Sequence, residues 1–399
     1  MAVSTKDKES GRYYTFAAFA QDAASAEELQ HVFRNDTLND THVATGGIDA
    51  AIAWLQRHDR SPQRLLVDIS GSSRPLDDLD RLADACEPSV EVYVMGDRND
   101  VGLYRNLLAR GVQDYLVKPL SAELVRRALS RSSPAQHRGR HGKSVAVLGT
   151  RGGVGATSVA AHLARTLARG GTRRRVVYLD LNPYDSNGAG ILGRPGGNAL
   201  FDVLSNIDRL DQQYLERTLA DAGDGLHVLA GELDYGEDFQ PAAGAIPRLL
   251  ETLGRYFHYV VLDLPQRGGV LAAEALGPAS LICLVTDTSV HSARTLARLA
   301  RHIESRPNPP TLLTTLNHPQ PPSRGKVSVQ DFTQATDVPI QVTIAYDAKA
   351  PIMAENLAQP LNPGSEFARG IQDLANQVTG EASARGEQAW WSKLRRKTA

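Results

Sequence analysis

Short apolar runs separated by polar or amphipathic stretches recur along most of the 399-residue chain. Upstream of residue 131 the runs are Tyr14 to Ala20, Ile48 to Leu55, Leu65 to Ile69, Leu76 to Ala85, Val90 to Met95, Val101 to Leu108 and Leu124 to Leu129. Compact runs alternate with amphipathic ones, which predicts βα units whose right-handed crossovers wind helices on both faces of a parallel sheet. The pattern breaks at Arg131 to Gly142, RSSPAQHRGRHG, a polar stretch rich in turn formers that reads as a linker. It then resumes. Ser144 to Leu148 reads as a strand entering a Gly-rich turn. Ser158 to Arg169 reads as a helix with Val159, Leu163 and Leu167 on one face, closed by Gly170 and Gly171. Val176 to Leu181, Leu226 to Leu229, Tyr259 to Leu264, Leu281 to Val285 and Thr311 to Leu316 are further strand candidates. The expected fold class is α/β with two doubly wound parallel-sheet domains, at 12–130 and 143–380. A flexible N-terminus (1–11), the linker (131–142) and a basic aromatic tail (381–399) complete the chain.

Composition changes this picture little. Apolar residues make up 42% and charged residues 22%, and 34 Gly and 21 Pro suit a chain with many strand–helix junctions. A formal net charge of -1 argues against sequence-independent attraction to nucleic-acid phosphates. The two cysteines, Cys86 and Cys283, lack metal or redox spacing, so a reducing, cytoplasmic setting is expected. Cys283 sits in the run Leu281 to Val285 and reads as a small buried hydrophobe. His137 and His141 fall in the linker without carboxylates or cysteines at ligand spacing. The start, MAVSTKDKES, has no apolar leader, and no apolar stretch is long enough to cross a bilayer.

The chemistry is concentrated after the first strand of the second domain. Gly149 to Ser158, GTRGGVGATS, lies between a predicted strand and a predicted helix, the context in which glycines curl the backbone around phosphate and the helix dipole adds positive potential. Thr157 supplies a hydroxyl suited to a magnesium ion. The loop resembles the deviant Walker A motif of the MinD/ParA superfamily of P-loop ATPases, through Arg151, Gly152, Gly153, Val154, Gly155, Ala156, Thr157 and Ser158. That resemblance implies bound ATP and magnesium and a dimer closed around the nucleotide. Arg151 takes the place of the signature lysine that reaches the partner's phosphates, and its charged fork suits a trans contact. Ala156 replaces the cis lysine. In the segment Tyr178 to Gly193, Asp180 matches the first acid of the family's DxD pattern. Asn182 replaces the second, which positions the attacking water; an amide orients water but does not accept its proton, so hydrolysis is expected to be weak or absent. Asp263, ending YVVLD, matches the Walker B acid, which with Thr157 and Asp180 completes the implied metal set. Asn317 matches the family's adenine-reading asparagine, and Pro339 to Leu361 its late stretch before the last helix.

The first domain resembles response-regulator receivers. LLVDIS places Asp68 at a strand end and YLVKPL places Lys118 before Pro119, the phosphoacceptor and lysine positions. Only Asp22 is present where receivers pair two acids, and Gly96 stands where they carry a hydroxyl, so phosphotransfer is not expected. Gly96 to Ser121 is particularly similar to the receiver-like half of the CpaE/TadZ pilus-assembly family. Within that stretch Asp97 to Asp100 form either a helix cap or a docking loop, the cap being the simpler account.

This second resemblance implies a Flp/Tad pilus assembly and localisation factor, dimeric, working with other pilus or secretion proteins at a cell pole. The alternatives are a ParA-like DNA-partitioning ATPase and a phosphorylation-gated response regulator. Arg294, Arg298 and Arg301 share one helical face, read as solvated rather than as a DNA surface. The tail AWWSKLRRK offers either a weak membrane contact or a protein contact.

Overall fold

A computed structural model describes residues 14–35, 40–58, 60–130, 141–170, 174–184, 187–194, 196–234, 236–266, 268–321 and 327–380. Nearly all of the linker stretch and the whole of the C-terminal tail lie outside these residues. The chain divides into two compact units. One comprises 1–142 with 171–174, the other 143–170 with 175–399.

The first unit contains strands β1 (Phe16–Ala20), β2 (Thr41–Thr45), β3 (Arg64–Asp68), β4 (Glu91–Gly96) and β5 (Asp114–Val117). Between and after them come helices α1 (Ala23–Asn35), α2 (Ile48–Leu55), α3 (Pro75–Ala85), α4 (Val101–Ala109) and α5 (Ala122–Ser130). The sheet is parallel with order β2-β1-β3-β4-β5, the flavodoxin-like order. Successive side chains of a strand face opposite ways. In β1, Ala17 and Phe19 therefore join the core under α2 and α3, while Phe16, Ala18 and Ala20 join the core under α1 and α5. Both faces are buried, which is why β1 reads as an unbroken apolar run. By contrast β2, at the sheet edge, is only half-buried, and its sequence THVAT carries no apolar run. Asp100 accepts from the N–H groups of Gly102 and Leu103, at 2.6 and 3.2 Å, so it caps α4.

Among the described residues the second unit has eight strands: β6 (Lys143–Gly149), β7 (Val176–Asp180), β8 (Ala220–Asp221), β9 (Leu226–Leu229), β10 (Tyr259–Asp263), β11 (Leu281–Thr286), β12 (Thr311–Asn317) and β13 (Val342–Ile344). Their order is β13-β12-β11-β6-β10-β7-β9-β8, parallel except for the short β8. On one face lie α6 (Ala156–Arg169), α7 (Asn187–Ile191) and α15 (Glu366–Thr379), packed on Val145, Val147, Tyr178 and Val261. The other face carries α8 (Ala199–Ser205), α9 (Gln212–Thr218), α10 (Ala245–Tyr256), α11 (Val270–Leu276), α12 (Val290–Glu304) and α13 (Val329–Thr336), packed on Ala146, Leu148, Val177 and Leu262, while α14 (Ala350–Leu357) lies against α7 and α15. Cys283 is fully buried, with Sγ 3.4 Å from Thr315 Oγ1, and burial pushes its thiol up to about 11. Arg294, Arg298 and Arg301 are exposed on α12, opposite buried Leu296, Ala300 and Ile303.

The chain leaves β6 toward β7 on one side, whereas it leaves the adjacent β10 toward β11 on the other, so the connections from these neighbouring strands run in opposite directions. Such a switch point opens a crevice at the strand ends. The loop of residues 150–155 lies there.

Candidate functional site

Residues 150–155 connect β6 to α6 through a turn that needs its glycines. Gly153 and Gly155 have φ of 78° and 84°, the left-handed region. At Gly155 a Cβ would also come within 2.7 Å of Asn317 Nδ2. Gly155 is the N-cap of α6 and contributes no capping side chain, so the positive end of a 14-residue helix opens onto the loop. The loop lines a cavity of about 960 Å³, the upper end of the range for small-molecule sites. Gly152 to Ser158, Arg151, Asn182, Tyr184 and Phe239 are on its wall.

Beneath the loop, Asp180 and Asp263 end neighbouring strands in direct register. Both are fully buried. Burial and the adjacent Asp180 carboxylate push the Asp263 carboxyl well above the usual range, and hydrogen bonds from Thr157 and Tyr178 oppose that rise. A buried pair of acids beside a helix-start hydroxyl is a donor set of hard oxygens, the kind magnesium prefers. The residues present therefore fit a phosphate-bearing ligand with a divalent cation.

Tyr178 is a member of this cluster that the sequence reading missed. Its phenol donates to Asp263 at 3.0 Å and is fully buried. It lies two residues before Asp180 on β7, so the strand period alone places it on the same face. Gly188 makes room for it, since a Cβ there would stand 1.7 Å from the phenol oxygen. Asn182 reaches the cavity wall while its backbone N–H donates to Asp180 at 3.1 Å.

Arg151 is held within its own chain. Its guanidinium forms an ion pair with Asp287, with Nε at 3.1 Å, and Nη1 donates to the Gly152 carbonyl at 2.8 Å. Asp287 also accepts from the hydroxyls of Ser289 and Ser292, at 2.7 and 2.6 Å. Burial opposes its ionisation, but Arg151 and these hydroxyls outweigh it and hold the carboxyl well below the usual range. Asn317 is buried behind the loop, where its amide donates to the Val154 carbonyl at 2.7 Å. It is not on the cavity wall; it braces the loop whose shape depends on Gly155.

In the first unit, the three receiver positions meet. Lys118 Nζ lies 2.5 Å from both Asp22 and Asp68. Asp68 is completely buried and also accepts the N–H groups of Gln21 and Ser70. The Lys118 hydrogen bond, followed by that of the Ser25 N–H, lowers the Asp22 carboxyl to about 2. Burial works against the Lys118 charge, yet the two carboxylates raise its pKa. Gly96 has a physical reason to be glycine: a Cβ there would meet the Tyr115 hydroxyl at 2.6 Å, and that hydroxyl donates to the Arg98 carbonyl.

No protein-family model matches the chain. A ParA-family ATPase of Chlorobium tepidum is similar in structure, with 19% identity, a TM-score of 0.54, and coverage of 59% of this chain and 98% of that one. The septum site-determining protein MinD of Pyrococcus horikoshii, solved with Mg-ADP, gives 19%, 0.52, 60% and 97%. These likenesses show the fold. The pilus assembly protein CpaE of Caulobacter crescentus is 34% identical over 29% of this chain and 95% of its own solved length, with a TM-score of 0.27. The chain contains the α/β fold of the ParA-family and MinD ATPases. Two curated relatives are more distant in extent. The sporulation initiation inhibitor Soj of Bacillus subtilis is 24% identical over 166 residues, and a Rhizobium rhizogenes protein named as a replication protein A is 30% identical over 196. The chain spans 63% and 47% of their lengths, respectively. Among the described residues, no helix is long and apolar enough to cross a membrane.

Proposed function

We propose that this chain is a pilus-assembly and positioning factor that binds ATP with magnesium, pairs with a second copy around the nucleotide, and hydrolyses it slowly or not at all. The observation that carries this reading is the glycine loop at the start of α6, placed over the buried Asp180–Asp263 pair. The sequence identity to CpaE supports the assembly role.

Backbone N–H groups of residues 152–157 receive phosphate oxygens, where the α6 dipole favours negative charge. Thr157, Asp180 and Asp263 hold the cation, with Tyr178 fixing the Asp263 carboxylate from below. Magnesium, when bound, neutralises phosphate charge. Ala156 contributes no cation and Asn182 takes no proton from water, so the pocket binds better than it hydrolyses. Arg151 reaches a partner's phosphates only by leaving Asp287. The interactions formed across the dimer must therefore outweigh this internal pair, which makes the ligand a latch. In the first unit Gln21 stands beside Asp22 where receivers pair two acids, and Gly96 stands where they carry a hydroxyl, so that unit acts as a docking surface rather than a phosphoacceptor.

Calorimetry with ATP and magnesium, run beside light scattering, tests the reading. Binding with a doubling of mass is expected, and Arg151→Ala should retain binding while the mass stays that of one chain. Absence of binding would overturn it.

A further inference from the structure

A second polar cavity, of about 320 Å³, lies in the ATPase unit, and none of its lining residues lines the nucleotide pocket. Its walls carry three arginines, Arg165, Arg169 and Arg194, and one acid, Asp224. Arg169 pairs with Asp224 at 2.7 Å. The other two are different. Arg165 projects from α6 with only 9% of its surface exposed, and its Nη1 is buried with no hydrogen-bond partner among the described residues. Arg194 Nε is likewise buried without one.

A guanidinium removed from water without an acceptor is costly. At this cavity one nitrogen on each of two guanidiniums, Arg165 Nη1 and Arg194 Nε, lacks an acceptor that a bound anion would supply. Burial, then the Arg169 charge, lower Arg165 below its ordinary value. Burial, then Arg165, bring His162 one turn earlier down to about 4. Gly193 and Ala358, both with left-handed backbone, form another part of the wall.

We infer that the Arg165–Arg169–Arg194 cavity is an anion site for a phosphoryl group. Planar guanidiniums present paired N–H groups that match phosphate oxygens. The volume exceeds what a bare phosphate fills and falls at the small end of metabolite sites. Residues 192–194 continue directly from α7, whose Asn187 and Ile191 line the nucleotide pocket.

Inorganic phosphate and glycerol 3-phosphate are titrated separately into the full chain by calorimetry. The unmodified protein is compared with the double variant Arg165→Met, Arg194→Met. The glycine loop also accepts phosphate, so the readout is the difference: the unmodified chain should show one more site than the variant. Tighter binding of the monoester identifies a phosphorylated small molecule, and tighter binding of inorganic phosphate identifies the free ion. Replacing both arginines by lysine keeps the charge, loses the fork, and should weaken that site by about tenfold. Identical stoichiometry and affinity in the unmodified and methionine proteins would overturn the assignment. Should the variants fail to fold, arginine-selective dicarbonyl modification of the unmodified chain decides. Phosphate should protect Arg194, and an unchanged rate there would overturn the site.

Discussion

Each unit places carboxylates at the C-terminal end of a parallel sheet, yet the two clusters are completed in opposite ways. In the first unit Lys118 Nζ stands 2.5 Å from both Asp22 and Asp68. A resident ammonium supplies opposite charge to both acids. In the second unit Asp263 is met by neutral donors, the Tyr178 phenol and the Thr157 hydroxyl, and the positive end of α6 is close by. Neutral donors supply no opposite charge, and burial beside Asp180 raises the Asp263 carboxyl despite them. One cluster is bridged by a lysine of its own chain, while Asp263 of the other is met by a phenol and a hydroxyl, although both lie at the C-terminal ends of adjacent parallel strands.

The largest test of this contrast is Lys118→Met. Lys118 has 15% of its side chain exposed and Asp68 none, so the variant strands a buried carboxylate. A loss of about 3–5 kcal/mol is expected in urea unfolding of the first unit; a loss below about 1 kcal/mol would mean that the lysine is not what closes the cluster. The converse experiment sharpens the second unit. Ala156→Lys with Asn182→Asp supplies the missing cation and base, and ATP turnover should rise by about 10²-fold. No increase would show that the site lacks more than these two groups.

The smallest effect is one of pH. Asp22 is held at about 2 in the folded chain against 3.8 when free. The sign follows from linkage: a lowered folded pKa stabilises above the free value, and that stability is lost as pH falls through 3.8 toward 2. Asp22→Asn should therefore flatten the acid limb of the stability curve between these values. A parallel curve for the variant would place the acid sensitivity elsewhere.

Much of this was readable along the chain because it is local. The loop is a contiguous string whose glycines serve backbone angles, and the strand-to-helix context behind the proposed phosphate cradle spans only Ser144 to Arg169. Asp100 as a helix cap was readable for the same reason, since it acts on N–H groups two and three residues ahead. Two short elements were not. The edge strand β2 is half-exposed and has no apolar run to announce it. The three-residue β13 is too short to show a period. The hydrogen bond from Asn317 to the Val154 carbonyl was not legible, because the two residues are 163 apart in sequence.

By itself the sequence determined two α/β units, a glycine loop without its usual lysines, and acids at the ends of named strands, since each follows from residue order and local backbone preference. Tertiary structure decided what those groups touch. Lys118 is 96 residues from Asp22 and 50 from Asp68, and Arg151 is 136 from Asp287. Such pairs exist only once strand order brings β5 beside β4 and β11 beside β6. Whether a charge is satisfied within its own chain or left for a ligand depends on that three-dimensional placement.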